Sequence, residues 1–365
     1  MNTIDFKIIN DFKVSMDNRL DAATRLAKTF SPDMDSLCEI DLHCHSFKSD
    51  GYYSPSNKVF EAFRRKMFGL AISDHDLFDG QIEALRAGEI FGIEIIPAIE
   101  FYTDRPGIEI IGHFPDIPSF LKLLKSGIPN KVIDPIRKAK KSQLAKMLAK
   151  IPDCFAKFAL TAEITPDDID NFVRNGLSTK GDISVVMWQK YSSELREKGL
   201  TDDVKDFHAK YTANPDMLDE PMEIDMDLSP EAFVKRIREW GGLPGLPHPT
   251  ELRKKEGLGN CELRETIERL GAVGLQTIEV DGWRNGICPE TGMPQTKLLE
   301  SMRQEYNKKY PERPPLLFTN GSDDHNQPGE GLELGCGHNR NLSPEFGNAD
   351  NMETLRERAR LLARN

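Results

Sequence analysis

Histidines and acidic residues recur in this chain at positions where they could converge on a metal ion. His43 and His45 are separated by one residue in the apolar run IDLHCH. A β-strand alternates its side chains between two faces, so both imidazoles would share a face and could bind one ion. Asp50 follows in a Ser-Asp-Gly turn, where a short carboxylate at the end of a strand could reach a neighbouring ion.

Further segments place the same residue types where strands are expected to end. His75 stands in SDHD directly after LAIS, and Glu100 ends the run IIPAIE, where its carboxylate could bridge two cations. His248 stands between two prolines that restrict its backbone, and Asp323 and His325 follow another apolar run in GSDDH. Imidazole and carboxylate together suit zinc, manganese or iron.

A lone histidine or aspartate after a strand is usually a cap, a turn former or a surface group. We keep that interpretation for His208 and His338. The strand-end set is different, because five of the eight histidines lie beside three carboxylates placed alike. The six cysteines never form a CxxC pair, which argues against a zinc ribbon or a redox motif, and Cys44 should point away from its neighbouring histidines. We therefore predict a metal site built from nitrogen and oxygen ligands.

The apolar pattern indicates the elements that would carry these residues. Strand-like and helical segments alternate from Glu39, stop near Pro118 and resume after residue 230, which is typical of a parallel sheet or a β/α barrel. The segments between them favour short helices separated by Pro and Gly. We predict a helical extension at 1–37, a barrel formed by 38–118 and 230–365, and a helical insertion at 119–229.

Composition and charge narrow the classes of partner. The formal net charge is −11 and the pI is near 5.4, so the chain offers no global attraction for duplex nucleic acid. Its apolar runs are too short to cross a bilayer, and its first residues do not resemble a secretory signal. We expect a cytoplasmic protein that does not act on membranes, and its oligomeric state stays open.

The ordered motifs resemble those of a known family. DLHCHSFKSDG, SDHD, the strand-end Glu100, LPHP and GSDDH are similar to the successive motifs of the PHP (polymerase and histidinol phosphatase) family and cover residues 40 to 325. The resemblance implies an α/β fold, a distorted, seven-stranded β/α barrel of the TIM type whose helical insertion caps its mouth. It also implies two to three divalent ions, of manganese, iron or zinc, and hydrolysis of phosphoesters.

The resemblance distributes the ligands over three ions. The first ion would be held by His43, His45, Glu100 and Asp323, the second by Asp50, His75 and His325, and the third by Glu100 and His248.

A departure from the family concerns this third ion. Relatives often have a histidine in the segment that reads IEIIG here, where this chain has Glu109. Either Glu109 or His113 could replace that imidazole, and positions 109 and 113 share one face of an unbroken strand. We rank Glu109 slightly ahead of His113. A solvated Glu109 with no part in binding is an equal alternative.

The reaction predicted is attack of a metal-activated water on a phosphate ester. We expect the catalytic side chains to be Asp50, His75, His248 and His325, with His248 or His325 as alternative proton donors to the leaving group. Positive charge for the substrate phosphate could come from Lys180, Arg284 and Arg340, although loop arginines are usually only solvated.

Three function classes are compatible with these residues. We favour hydrolysis of a small phosphate monoester, a nucleotide being one candidate. The first alternative is a phosphodiesterase or a 5′-3′ exonuclease on short nucleic acid, which the negative charge and the lack of an aromatic-basic strand motif make less attractive. The second is a non-catalytic metal-binding PHP domain.

Overall fold

The structure is a computed structural model of the 365-residue chain, and it describes residues 3–36, 38–172, 180–249, 259–280, 293–326, 334 and 347–363. By its internal contacts the chain divides into two units. The first unit comprises Met1–Ser46, Gly51–Pro129 and Asp227–Asn365, and the second comprises Phe47–Asp50 and Asn130–Met226.

The first unit is mixed α/β with two sheets. A parallel sheet has the order β1 (Ile40–Cys44), β2 (Gly69–Ile72), β3 (Glu94–Ile95). The other sheet has the order β4 (Ala98–Tyr102), β5 (Glu109–His113), β6 (Leu243–Leu246), β7 (Thr277–Glu279), β8 (Leu317–Thr319). Within it β5 runs antiparallel to both neighbours, and β6, β7 and β8 are parallel. Among the described residues neither sheet closes on itself, so the expected seven-stranded barrel is not confirmed.

Backbone contacts beyond the strand ends join the edges of the two sheets. Cys44 forms an isolated parallel bridge with Asp324, and His75 forms one with Glu100. The amide of Leu42 also donates to the carbonyl of Asn320 at 2.8 Å. These contacts bring loops that follow β1, β2 and β8 together with strand β4.

Helices pack against these strands, and several begin where local sequence rules place a start. Ser54 caps the helix that begins at Pro55 by accepting from the Asn57 amide. Ser229 caps the helix that begins at Pro230 in the same way. The first-unit helices are α1 (Thr3–Ile9), α2 (Met16–Thr29), α3 (Pro55–Arg64), α4 (Gln81–Phe91), α5 (Ile117–Ser126), α10 (Pro230–Glu239), α11 (Asn260–Val273), α12 (Gln295–Lys309) and α13 (Ala349–Leu362).

The two N-terminal helices are built into the first unit. Phe6 and Phe30 pack edge-on against Phe60 of α3, with ring centroids 5.5 and 5.3 Å from it. Arg19 of α2 forms a bidentate pair with Glu83 of α4, at 2.8 and 2.6 Å, and both side chains are buried. A buried pair of this kind fixes one geometry, because either partner alone would be an uncompensated charge.

The second unit is helical. It contains α6 (Asn130–Ala156), α7 (Pro166–Phe172), α8 (Lys180–Glu197), α9 (Val204–Phe207) and a π-helical turn at His208–Thr212. Its own core includes Phe155, which stacks on Phe207 with centroids 5.7 Å apart. Helix α5, which the predicted insertion at 119–229 would include, groups with the first unit instead. The predicted three-part division and the cap role of the insertion stay predictions.

None of the helices in the described ranges is both long and apolar enough to cross a membrane.

Candidate metal centre

The first cluster of donor atoms joins the ends of β1 and β4 with the loop after β8. Nε2 of His43 lies 3.1 Å from Oε2 of Glu100, and Nε2 of His45 lies 3.1 Å from Oδ1 of Asp323. One donor atom from each of these four residues lies within 4.8 Å of the other three. His43, His45 and Glu100 are buried. The structure thus brings together the four residues that the family resemblance assigns to one ion.

A second cluster is a group of closely packed histidine rings. His325 stacks on His45 with centroids 4.3 Å apart, and His45 stacks on His75 at 4.5 Å. Tyr102 at the end of β4 stacks on the other face of His75 at 4.0 Å. Nitrogens of the three histidines lie within 4.8 Å of one another. These three nitrogens could therefore bind one ion.

Asp50 is the fourth residue predicted for that ion. It lies in the segment Phe47–Asp50, which groups with the second unit, and Ser49 donates to its carboxylate at 3.2 Å. Its role as a ligand stays a prediction.

The third cluster contains Glu109. Nε2 of His248 lies 3.2 Å from Oε1 of Glu100 and 2.9 Å from Oε2 of Glu109. The three residues each offer a donor atom within 4.8 Å of the others. The direction of β5 explains this, because an antiparallel strand begins where its neighbours end. Glu109 pairs with Tyr102, two residues beyond Glu100.

His113 occupies the opposite end of β5. It pairs with Ala98 and Leu243, the first residues of β4 and β6. Its ring is buried, and Nε2 lies 2.8 Å from the carbonyl of Leu42. Burial lowers the pKa of His113 to about 4, so the ring is neutral and Nε2 donates. The geometry therefore associates Glu109 with the cluster and gives His113 a structural contact; ligation by Glu109 stays a prediction.

The backbone is strained at two of these positions. Asp323 has φ 54° and His248 has φ 27°, in the left-handed region that residues other than glycine rarely adopt. The amide of Asp323 donates to the carbonyl of His43 at 2.8 Å. Strain of this kind persists only where surrounding contacts impose it, and it is concentrated at functional sites.

Buried polar residues that the sequence analysis missed support the clusters. Glu279, at the end of β7, contacts Nδ1 of His43 at 2.8 Å. Lys58 of α3 is fully buried and donates to the carboxylate of Asp324 at 2.9 Å and to its carbonyl at 2.6 Å, which anchors the GSDDH loop. Asp74 accepts from the amide and hydroxyl of Ser46, both at 2.7 Å. Glu279 could have been found, because it follows the apolar residue Ile278 of a strand as Glu100 follows Ile99.

The charges in the clusters are interdependent. Burial alone would raise the pKa of Glu100, but His43, His75 and a hydrogen bond from His248 hold that pKa well below its usual value. Burial would also raise the pKa of Asp323. The nearby His325 and His43 outweigh this effect and hold the pKa below its usual value. Burial and the charge of Glu100 raise the pKa of Glu109.

The histidines respond in the opposite sense. Against the effect of burial, Glu100 and Glu279 raise the pKa of His43 well above its usual value. Hydrogen bonds that His248 donates to Glu100 and Glu109 do the same for the pKa of His248. The centre therefore attracts positive charge, which protons or divalent cations can supply. A donor set of imidazoles and carboxylates fits manganese, iron or zinc.

Of the predicted phosphate-binding residues, the structure describes Lys180, which is not part of these clusters. The Lys180 ammonium pairs with Asp219 inside the helical unit. Arg284 and Arg340 lie outside the described residues, as does His338. His208 contacts the hydroxyls of Ser184 and Thr212 at 3.2 and 2.7 Å, in keeping with a structural role.

Comparison with known proteins links this geometry to solved structures. No protein-family model matches the chain. A segment of 74 residues, 20% of this chain, is 43% identical to a 5′-3′ exoribonuclease of Haemophilus influenzae, and the chain spans only 27% of the length of that enzyme.

Two solved structures match most of the chain. A protein of Bifidobacterium adolescentis described as a predicted metal-dependent phosphoesterase has a TM-score of 0.63 and 20% identity, covering 87% of this chain and 96% of its own. An amidohydrolase of Chromobacterium violaceum, with bound sulfate and no metal, has a TM-score of 0.57 and 23% identity over the same shares. This chain therefore has the fold of these proteins.

Proposed function

We propose that this chain is a PHP-family phosphoesterase that hydrolyses a phosphate ester with a metal-activated water. The observation that carries the proposal is the convergence of three donor clusters from strand ends far apart in the sequence. Support also comes from the fold shared with the B. adolescentis protein, which is described as a predicted metal-dependent phosphoesterase. Two to three ions would be held, by the residues of the clusters together with Asp50.

The proposal includes the architecture. We infer that the two sheets form one distorted barrel, because the bridges Cys44 to Asp324 and His75 to Glu100 connect their edges. In a barrel of this kind the carboxyl ends of the strands carry the site. His45 and Asp323 follow β1 and β8, in keeping with that expectation, and Glu100 lies within β4.

The chain's own groups would orient ions and substrate. Bound divalent ions supply a nucleophilic hydroxide and neutralise phosphoryl oxygens. Glu100 can bridge two ions, because its oxygens face His43 and His248 separately. His75 is fixed between two rings, so its nitrogen keeps one direction. A coordinated imidazole cannot donate a proton, so whichever of His248 and His325 is left uncoordinated is our candidate for the acid.

We propose a small phosphate monoester, such as a nucleotide, as the substrate. The net charge of −11 disfavours long polyanions. Lys180, Arg284 and Arg340 remain predicted phosphate contacts, and for Lys180 the pairing with Asp219 would have to open. A 5′-3′ exonuclease on short RNA is the second candidate, and the partial match to the H. influenzae exoribonuclease favours it.

A substrate screen tests both candidates. Protein reconstituted with manganese, iron or zinc is incubated with nucleoside monophosphates and with short 5′-phosphorylated RNA, and released phosphate and nucleotides are measured. His43→Ala is the control for contaminating activity. Phosphate release from the monophosphate supports the first candidate, and stepwise release of nucleotides supports the second. Metal binding without turnover on any phosphoester would instead favour a non-catalytic domain.

A further inference from the structure

Glu279 is a buried carboxylate that contacts two different segments of the centre. It ends β7 and is 3% exposed. Its Oε2 lies 2.8 Å from Nδ1 of His43, and its Oε1 accepts the backbone amide of His248 at 3.2 Å. None of the donor clusters includes Glu279 among its ligand atoms. One oxygen of Glu279 therefore contacts His43 of the first cluster, and the other contacts the backbone of His248 in the third cluster.

We propose that Glu279 is a positioning residue that couples the first and third metal clusters. It does so by fixing the tautomer of His43 and the backbone of His248 at the same time. The inference rests on the proposed function only in that it assumes these clusters bind ions.

The contact with His43 decides which ring nitrogen can coordinate. A carboxylate oxygen accepts hydrogen bonds, so Nδ1 of His43 carries the proton. With Nδ1 as the donor to Glu279, Nε2 is the nitrogen left to coordinate an ion, and it lies 3.1 Å from Glu100 Oε2 and 3.2 Å from His45 Nε2. A proton on Nε2 would block coordination there. An outer carboxylate that orients an imidazole is a general device of metal sites.

The contact with His248 stabilises a strained backbone. His248 has φ 27° and stands between Pro247 and Pro249, neither of which has an amide to donate. The amide of His248 is held by Glu279, while its Nε2 faces Glu100. Glu100 and Glu279 thus contact the same two histidines from different atoms. Loss of Glu279 would release both histidines together.

The surrounding space leaves Glu279 little freedom to move. A Cβ placed on Gly321 would come within 2.2 Å of the His43 Cβ and 2.7 Å of Oε2 of Glu279. Glycine is needed at 321 because the loop backbone passes directly over this contact. The His43 and Glu279 side chains are therefore confined to one arrangement.

Glu279→Gln tests the coupling with almost no change in size. The glutamine side chain has one accepting oxygen and one donating nitrogen. In either orientation its NH₂ group would face another donor, either Nδ1–H of His43 or the backbone amide of His248. Binding of Mn²⁺ is measured by equilibrium dialysis. We expect two ions to bind more weakly, by about 10- to 100-fold, the range typical for loss of an outer partner.

Glu109→Gln is the matched comparison, because Glu109 belongs only to the third cluster and should weaken a single ion. If Glu279→Gln weakens no ion, or only the one that Glu109→Gln weakens, the coupling is refuted. If the wild-type protein binds no Mn²⁺, Zn²⁺ or Fe²⁺, the proposed function itself fails, which is a distinct result.

A second measurement avoids any dependence on how the variant folds. Long-range ¹H–¹⁵N NMR of the wild-type imidazoles reports the tautomer of each ring. We expect His43 to be protonated at Nδ1 both before and after Mg²⁺ or Zn²⁺, which are diamagnetic, is added. A His43 ring that carries its proton on Nε2 and none on Nδ1, with or without the metal, would contradict the inference.

Discussion

The strand-end centre and the core of the helical unit bury opposite kinds of side chain. In the centre, buried histidines and carboxylates face one another, as His43, Glu100 and His248 do. In the helical unit, Phe155 and Phe207 pack together, and ion pairs such as Lys146 with Glu223 are exposed. Apolar burial favours folding, whereas crowded carboxylates oppose it unless cations offset their charge. Apolar burial therefore explains the helical core, whereas the centre requires positive charge from protons or divalent cations.

Replacing a shared ligand should have the largest effect. His45 offers a nitrogen to both the first and the second cluster, so His45→Ala should remove two ions. We expect kcat/KM for the best phosphoester to fall by on the order of 10⁴-fold, equivalent to about 5.5 kcal/mol. Metal content and kcat/KM are the measurements, and His208→Ala is the control. Full metal content in His45→Ala would count against the clusters.

The helical core should respond in stability alone. Phe155 is fully buried against Phe207 and Tyr211. Phe155→Ala leaves a cavity and should lower the unfolding free energy by about 4 kcal/mol. Denaturant unfolding measures this loss, and Mn²⁺ dialysis of the folded variant should give wild-type affinity. A specific loss of Mn²⁺ affinity would show that the two regions are not as distinct as we describe.

His113 provides a pH-dependent prediction at a buried histidine outside the three donor clusters. Its pKa is lowered from 6.5 to about 4 in the folded chain, so the unfolded chain binds the proton more readily. The stabilisation is complete above pH 6.5 and is lost as the pH falls toward 4, by about 3 kcal/mol. His113→Asn, which can still donate to Leu42, should lose this part of the pH dependence in denaturant unfolding with EDTA present. If the unfolding free energies of the wild-type and variant proteins depended on pH in the same way, the prediction would be wrong.

The smallest effect is expected at the surface of the helical unit. Lys146 pairs with Glu223 at 2.8 Å, and the two side chains are 39% and 72% exposed. Exposed pairs contribute roughly 0–1 kcal/mol, so Lys146→Ala should change the unfolding free energy by less than about 1 kcal/mol. Thermal unfolding at low and high salt measures it. A larger loss would show that charge matters to this unit as it does to the centre.

The sequence predicted the members of the clusters better than their arrangement. His43 and His45 were found because the spacing of two along a strand is local. The sequence did not decide between Glu109 and His113, because residue periodicity does not encode whether a strand runs parallel or antiparallel. Only the pairing of β5 with β4 and β6 resolves which end of β5 meets Glu100.

Supporting residues were harder to predict than donors. The role of Glu279 depends on His43, 236 residues away, and on His248, 31 residues away. Lys58 reads as an ordinary helix lysine, and only its burial against Asp324 reveals its function in anchoring a loop. Tyr102 is likewise identified by its stack on His75. These contacts arise from the tertiary fold, and no local pattern specifies them.

Anomalous X-ray diffraction from crystals soaked in Mn²⁺ tests the central claim most directly. We predict anomalous peaks within coordination distance of the His43, His45, Glu100 and Asp323 cluster, and a further peak beside Glu109 and His248. Crystals of His45→Ala should lose the first peak and keep the second. Absence of any peak at these clusters in the wild-type protein, with Mn²⁺ bound elsewhere or not at all, would contradict the account.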